Sequence, residues 1–334
     1  MRNLVKKNIL KLKPSSTLVI NEKCKELISQ GKKVYQLGFG QSPFPVPEKI
    51  VSELKKNAHK KEYLPIQGLP ALRESVSNYL LEKTGVHYPK ENILITPGSK
   101  EAMLLMHVAF NGEIILPAPS WVSYEPQAQI GLNKVHWLQT TRENNWFPTP
   151  KELEKKIQSV GKNKNIILIL NSPNNPSGTV CKNLKKIATI AKKYKIIILS
   201  DEIYTDLTFC NRYESISKFY PDATFVSGGL SKWCGAGGWR LGFFAVPKKL
   251  SSFLENLKSL ASESYSTVNT PAQYAAVEAY TGDYSDYKSK ITKILSAIGN
   301  YAFNNLRSNK VLINPPTDFH FRIGIRITKK SILL

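Results

Sequence analysis

Four short segments hold residue types and spacings that suit chemistry. The densest is Ser227-Gly228-Gly229-Leu230-Ser231-Lys232-Trp233-Cys234-Gly235-Ala236-Gly237-Gly238-Trp239-Arg240-Leu241-Gly242. A lysine inside a glycine-rich loop between two apolar runs is partly desolvated, which favours the neutral, nucleophilic amine. Arg240 carries a guanidinium able to grip a phosphate with two parallel hydrogen bonds. Asp201-Glu202 closes the apolar run Ile196-Ile197-Ile198-Leu199, and Tyr204 follows three residues after Asp201. A carboxylate at the end of a buried run is costly unless something pairs with it, and a cationic ligand group would. Asn171-Ser172-Pro173-Asn174-Asn175-Pro176-Ser177-Gly178 is a rigid turn that holds a side-chain amide at the end of another apolar run. Thr96-Pro97-Gly98-Ser99-Lys100 offers a glycine for close backbone approach and the free N–H groups of a new helix, an anion site in principle.

Each segment also has a plainer reading: a simple connection, turn chemistry, an acid capping the next segment, a flexible loop with surface charge. The density of glycine around Lys232 weighs against the last. Taken together, a phosphate acceptor, a lysine amine, a carboxylate for a ring nitrogen, and phenol and amide donors for a ring oxygen describe a site for pyridoxal 5′-phosphate.

The elements that must position these residues alternate. Helices are predicted from Ser15 or Ser16 to Gly31, from Pro47 to about His59, over Leu72–Lys83, from Gly98 through Phe110, over Lys151–Val160 and over Asn183–Tyr194. Strands are predicted at Ile93–Thr96, Glu113–Leu116, Val135–Leu138, Ile166–Asn171, Ile196–Ser200, Thr224–Ser227 and Leu241–Val246. Strands apolar on both faces and separated by helices indicate an α/β fold with a mostly parallel sheet covered by helices on both faces. Ligands in such sheets bind beyond the carboxyl ends of the strands, where all the segments above lie.

Composition narrows the class. With 334 residues, 42% apolar and 22% charged, the chain is globular and large enough for one large and one smaller domain. No apolar run is long enough to span a bilayer, so no membrane partner is expected. Four cysteines, at 24, 181, 210 and 234, are too scattered for a disulfide scaffold or a metal knuckle. No metal is expected, and a reducing, cytoplasmic setting fits. The 47 basic and 25 acidic residues leave a net charge of +22. The lysines are spread in pairs along the whole chain and no recognised module accompanies them, so no nucleic-acid partner is expected. The first sixteen residues hold five basic groups and no apolar core segment. They are not a secretory signal; a transit peptide is conceivable, but they read best as the start of the folded chain.

The order and spacing of Asn174-Asn175-Pro176-Ser177-Gly178, Asp201-Glu202-Ile203-Tyr204 and Ser231-Lys232 through Gly238-Trp239-Arg240-Leu241-Gly242 resemble the class I aminotransferases, of the aspartate and aromatic type, within the fold-type I pyridoxal-phosphate enzymes. The similarity runs from about Lys13 to about Pro316. It implies ping-pong transfer of an amino group between an amino acid and a 2-oxo acid. Lys232 would be the Schiff-base lysine and the proton shuttle. Asp201 would pair with the ring nitrogen, and Tyr204 and Asn175 would bond the ring's phenolic oxygen. Arg240 and the Gly98-Ser99-Lys100 turn, with Ser231 nearby, would hold the phosphate. Trp121 would stack on the ring, Tyr63 would reach the phosphate of the partner subunit in a homodimer, and Gly40 and Asn175 would lie beside the substrate. The family often has a hydroxyl three residues before the lysine; here that position is Gly229, and Ser227 or Ser231 is expected to substitute.

The resemblance divides the chain into an N-terminal segment, 1–44, packing with the small domain; a large cofactor-binding domain, 45–285; and a small domain, 286–334, expected to be incomplete. Past Pro315-Pro316-Thr317 the family pattern calls for a small residue and an aromatic pair. This chain reads Asp318-Phe319-His320-Phe321, then Arg322-Ile323-Gly324-Ile325-Arg326-Ile327. Neither arginine maps onto the family's α-carboxylate arginine, and a truncation or frame change is the expectation drawn from this. Other functions that fit the same residues are a β-lyase on the same fold, or a cofactor-binding chain with little or no turnover.

Overall fold

The computed structural model describes residues 4–36, 40–161, 163–209 and 213–306. The expectations placed on Arg322, Arg326 and the rest of 307–334 lie outside these residues. Seven strands form one sheet: β1 (Ile93–Thr96), β2 (Glu113–Ala118), β3 (Val135–Gln139), β4 (Ile166–Asn171), β5 (Ile197–Asp201), β6 (Thr224–Gly229) and β7 (Gly242–Ala245). Their spatial order is β1-β7-β6-β5-β4-β2-β3. Every pairing among β2 to β6 is parallel, while β7 runs antiparallel to both of its neighbours, β1 and β6.

The unbroken apolar runs follow from burial on both faces. In β4, Ile167 and Ile169 pack into a core layer with Leu199, Phe225 and the helix Ser99–Ala109. Ile166, Leu168 and Leu170 face the opposite layer, where they meet Leu153, Ile157, Leu184 and Ile187 of the helices Pro150–Val160 and Leu184–Lys193. A third layer joins Ile93, Ile95, Val226 and Phe243 to the helices Pro70–Thr84 and Thr270–Thr281. β1 and β4 fall where the sequence places them, and the other strands differ by one or two residues at their ends.

Four further helices, Tyr124–Ile130, Ser251–Ser264, Thr270–Thr281 and the long Ser285–Leu306, were not expected from the sequence. The short N-terminal helix Lys7–Leu10 is bonded to the first of these through Asn8, whose Nδ2 donates to the carbonyls of Gln129 and Ile130. No helix among the described residues is long and apolar enough to cross a membrane.

Register converges on one sheet edge. Asn171 on β4 lies opposite Asp201 on β5, and Asp201 lies opposite Ser227 on β6. Gly242, at the start of β7, pairs with Gly229 on one side and Thr96 on the other.

Away from that edge, His107 sits wholly buried in the helix Ser99–Ala109. Its Nδ1 lies 3.2 Å from Asn133 Oδ1, and its Nε2 has no partner among the described residues. Burial pushes its pKa down to about 4, against a smaller upward pull from Asn133. The unfolded chain takes up this proton near pH 6.5, so stability is held above that pH and lost as pH falls toward 4. The total is roughly 3 kcal/mol. Urea midpoints of the wild type and of the non-titrating His107→Gln are therefore expected to converge on acidification; parallel curves would contradict this.

Candidate active site

The side chain of Asn171 closes the turn that follows β4. Its Oδ1 accepts from the Asn175 backbone N–H at 2.7 Å and its Nδ2 donates to the Asp201 carbonyl at 2.9 Å. This holds Asn175 over the sheet edge, where its Nδ2 donates to Tyr204 Oη at 3.2 Å. Both residues are buried.

Asp201 is 3% exposed. Its Oδ2 accepts from Tyr124 Oη at 2.7 Å, and its Oδ1 accepts from Ser227 Oγ at 3.1 Å and from the Ile203 N–H at 3.4 Å. Burial pushes the carboxyl pKa up, while these hydrogen bonds and the charge of Lys232 oppose the rise. All of its hydrogen-bond donors are neutral, so a cationic group beside it would offset the desolvation that they do not.

Lys232 is half-buried. Its Nζ donates to the Gly40 carbonyl at 2.7 Å and lies 5.7 Å from the centre of the Tyr204 ring. Lys232, Tyr204 and Gly40 thus meet at one place.

The anion cup is built from backbone. Gly98 precedes the helix Ser99–Ala109 with φ +84°, a conformation that favours glycine. A Cβ there would stand 2.5 Å from Arg240 Nη2. The Arg240 guanidinium is tied to the carbonyls of Gly237 and Pro97 at 2.8 and 3.1 Å. It is therefore held against a helix N-terminus, where free N–H groups and the helix dipole also favour negative charge. Gly242 lets β7 begin against the same turn, since a Cβ on it would lie 2.5 Å from the Ser99 nitrogen.

A cavity of about 550 Å³ opens over this edge. Gly40, Ser99, Lys100, Trp121, Asn175, Asp201, Tyr204, Ser231, Lys232 and Arg240 all line it. Gly98 shapes it from behind, through the helix start. Trp121 forms one wall, edge-on to Tyr124 at 5.3 Å, with Lys100 Nζ 5.6 Å from a Trp121 ring centre. Tyr63 does not line the cavity and is 88% exposed.

Ser227 is not the substitute phosphate hydroxyl, because it is fully buried and bonded to Asp201. Gly229 has no room for a side chain: a Cβ would lie 2.7 Å from the Leu241 carbonyl oxygen. Ser231 is left as the cavity hydroxyl on this loop. Tyr124 was not singled out in the sequence, although its place three residues after Trp121 was a usable signal. Ser15, Leu18 and Gln41 also line the cavity, and nothing in their spacing marked them.

This donor set fits pyridoxal phosphate: a buried carboxylate without a bonded cation, a phenol–amide pair, an amine, and an anion cup whose glycine holds a positive φ. No group of three His, Cys, Asp or Glu side chains that could hold a metal occurs among the described residues.

A family model, aminotransferase class I and II, matches residues 32–308. Aspartate aminotransferase of Geobacillus stearothermophilus is 33% identical over 287 residues, 83% of this chain and 71% of that one. Aspartate aminotransferase of Thermotoga maritima is 31% identical over 292 residues, 84% and 75% of the two chains. Among solved structures, alanine aminotransferase from Pyrococcus furiosus superposes with a TM-score of 0.86 at 29% identity, covering 94% of this chain and 82% of that one. Aspartate aminotransferase from Thermus thermophilus with maleate gives 0.84 at 25% identity, covering 96% and 84%. These similarities are to transaminases and do not favour a β-lyase or an inert binding chain. With its mostly parallel α/β sheet and a match that spans most of its length, the chain belongs to the class I and II aminotransferases, a family of pyridoxal-phosphate-dependent transaminases.

Proposed function

We propose that this chain transfers the amino group of aspartate or a closely related acidic amino acid to a 2-oxo acid, with Lys232 as the amine that links the cofactor and moves the substrate proton. One observation carries the assignment: the Lys232 amine, the buried Asp201 carboxylate and the Arg240–Gly98 anion cup bound a single cavity.

Pyridoxal phosphate, when bound, supplies an electron sink for the charge that develops at the substrate α-carbon. The protein residues do the rest. Asp201 keeps the cofactor ring nitrogen protonated, because its negative charge is buried among neutral donors and is best offset by a cation. Tyr124 and Ser227 hold that carboxylate in place. Tyr204 and Asn175 present paired donors to the ring's phenolic oxygen. Arg240, the helix N-terminus after Gly98 and Ser231 bind the phosphate and set the ring's position. Trp121, on the cavity wall, would cover one face of the ring. Lys232 would take the substrate α-proton and hand it on, as general base and then acid.

Lys100 supports the acidic-substrate reading. It is an exposed cation on the cavity wall beside Trp121, suited to a side-chain carboxylate. Several relatives are named aspartate aminotransferases. We assign exposed Tyr63 to the phosphate of a partner subunit in a homodimer. A reducing, cytoplasmic setting is the proposed location, on the scatter of the four cysteines along the chain.

The test is the half-reaction. Cofactor-loaded protein is mixed with aspartate, glutamate, asparagine, alanine and phenylalanine in turn, and the visible absorbance is followed. Conversion to the amine form of the cofactor is expected fastest with aspartate. Equal or faster conversion with alanine or phenylalanine would overturn the acidic assignment, and no conversion with any donor would overturn the transaminase reading of this chain.

A further inference from the structure

A second cluster lies behind the sheet edge, built around Asp206. Asp206 belongs to the short turn Thr205–Leu207 that follows Tyr204, and its side chain is 1% exposed. Its Oδ1 accepts from Lys83 at 3.1 Å and from Lys288 at 3.0 Å, and its Oδ2 accepts from Tyr79 Oη at 2.9 Å. Burial alone would raise the Asp206 pKa, but the two lysines outweigh it and hold the group ionised.

The two lysines are not equivalent. Lys83 ends the helix Pro70–Thr84. Lys288 stands in the first turn of the long helix Ser285–Leu306, and its Nζ also lies 4.4 Å from the Trp233 ring centre. Trp233 is buried, packs against Tyr284 at 5.9 Å, and directly follows Lys232 in the chain. One ammonium group therefore touches the turn that follows Tyr204 and the residue that follows Lys232.

We infer that Lys288 is a positioning residue for transamination: by bonding Asp206 and capping Trp233 it fixes the Lys232 amine against Tyr204. The inference rests on the function proposed above. A cation held over an aromatic face and paired with a buried carboxylate is worth more than an exposed ion pair. Both of its partners are buried, so its loss acts on the turn and the loop that carry them. Displacing a reacting group by a fraction of an ångström is costly even when the altered residue never touches substrate.

The test compares Lys288→Met, Lys288→Arg and Lys83→Met. The first readout needs no cofactor: site-resolved acylation of Lys232 in the cofactor-free chain, measured by mass spectrometry against other lysines. Lys288→Met is expected to raise Lys232 labelling several-fold, because the amine is released from Gly40. The second readout is the half-reaction, in which kcat is expected to fall about tenfold with little change in KM. Lys288→Arg, which keeps both contacts, restores both readouts. Lys83→Met removes an equal charge from Asp206 and leaves both near wild type. Unchanged labelling in Lys288→Met, or the same effects in Lys83→Met, would overturn the inference. A wild-type chain without transamination would instead remove the underlying function, and the labelling comparison would still decide whether Lys288 positions Lys232.

Discussion

Lys232→Ala is expected to lower the transamination half-reaction by at least about 10⁴-fold, the upper range of a lost acid–base group combined with a lost covalent link. The visible absorbance of lysine-linked cofactor is expected to vanish as well. Folding should hardly change. Lys232 is half-buried, and its amine donates to the backbone carbonyl of Gly40 on the cavity wall. Such positions shift stability by about 0.5 kcal/mol. The check is rapid-mixing absorbance with a saturating amino donor, beside a urea melt of the cofactor-free protein. Residual activity within tenfold of wild type would transfer the proton-moving role to another group.

Asp201→Asn separates chemistry from folding. The substitution keeps the shape and removes the charge. The two side-chain donors on Asp201 are hydroxyls, Tyr124 and Ser227, and a hydroxyl that faces an amide nitrogen can turn and accept instead of donate. The ladder of bonds therefore survives, and a costly buried charge is gone. The cofactor-free variant is expected to unfold at the same urea concentration as wild type, or a higher one. Its half-reaction is expected to slow by about 10²–10³, the loss typical of one preorganised electrostatic partner of a developing charge. A variant that is destabilised by about 2 kcal/mol or more would show Asp201 acting as a structural acceptor. One that keeps its rate would remove it from the ring nitrogen.

The strands that run unbroken through the core were legible because burial on both faces demands apolar residues at every position. Ile166–Asn171 is the clearest case. The chemistry at their ends was legible for a related reason. A carboxylate, an amide and a glycine-bounded lysine are poor choices for strand ends unless something is bound there. The direction of β7 was not legible, since an apolar strand of Gly-Phe-Phe-Ala reads the same in either sense and only its pairing with β1 and β6 sets it. The partner of Ser227 was hidden as well. Position 227 lies two residues from Gly229 and five from Lys232, and the chain alone cannot show that cross-strand register turns its hydroxyl toward Asp201. Lys288 gave no signal because its partners are 55 and 82 positions away in the chain, reached through a helix that was itself unread.

The antiparallel entry of β7 makes the stretch from Leu230 to Leu241 a hairpin loop, closed by a bond from the Leu230 N–H to the Leu241 carbonyl at 3.2 Å. Lys232 sits at one end of that loop and Arg240 at the other. The span between amine and guanidinium is thus a caliper opening, set by a clamped loop rather than by the docking of separate elements. On the function proposed above, its jaws would suit one length of ligand. Most surface loops tolerate a residue gained or lost, but here a single insertion or deletion between positions 232 and 240 would reset the gauge. The ligand would then be held by its carbonyl end or by its phosphate end, but not by both.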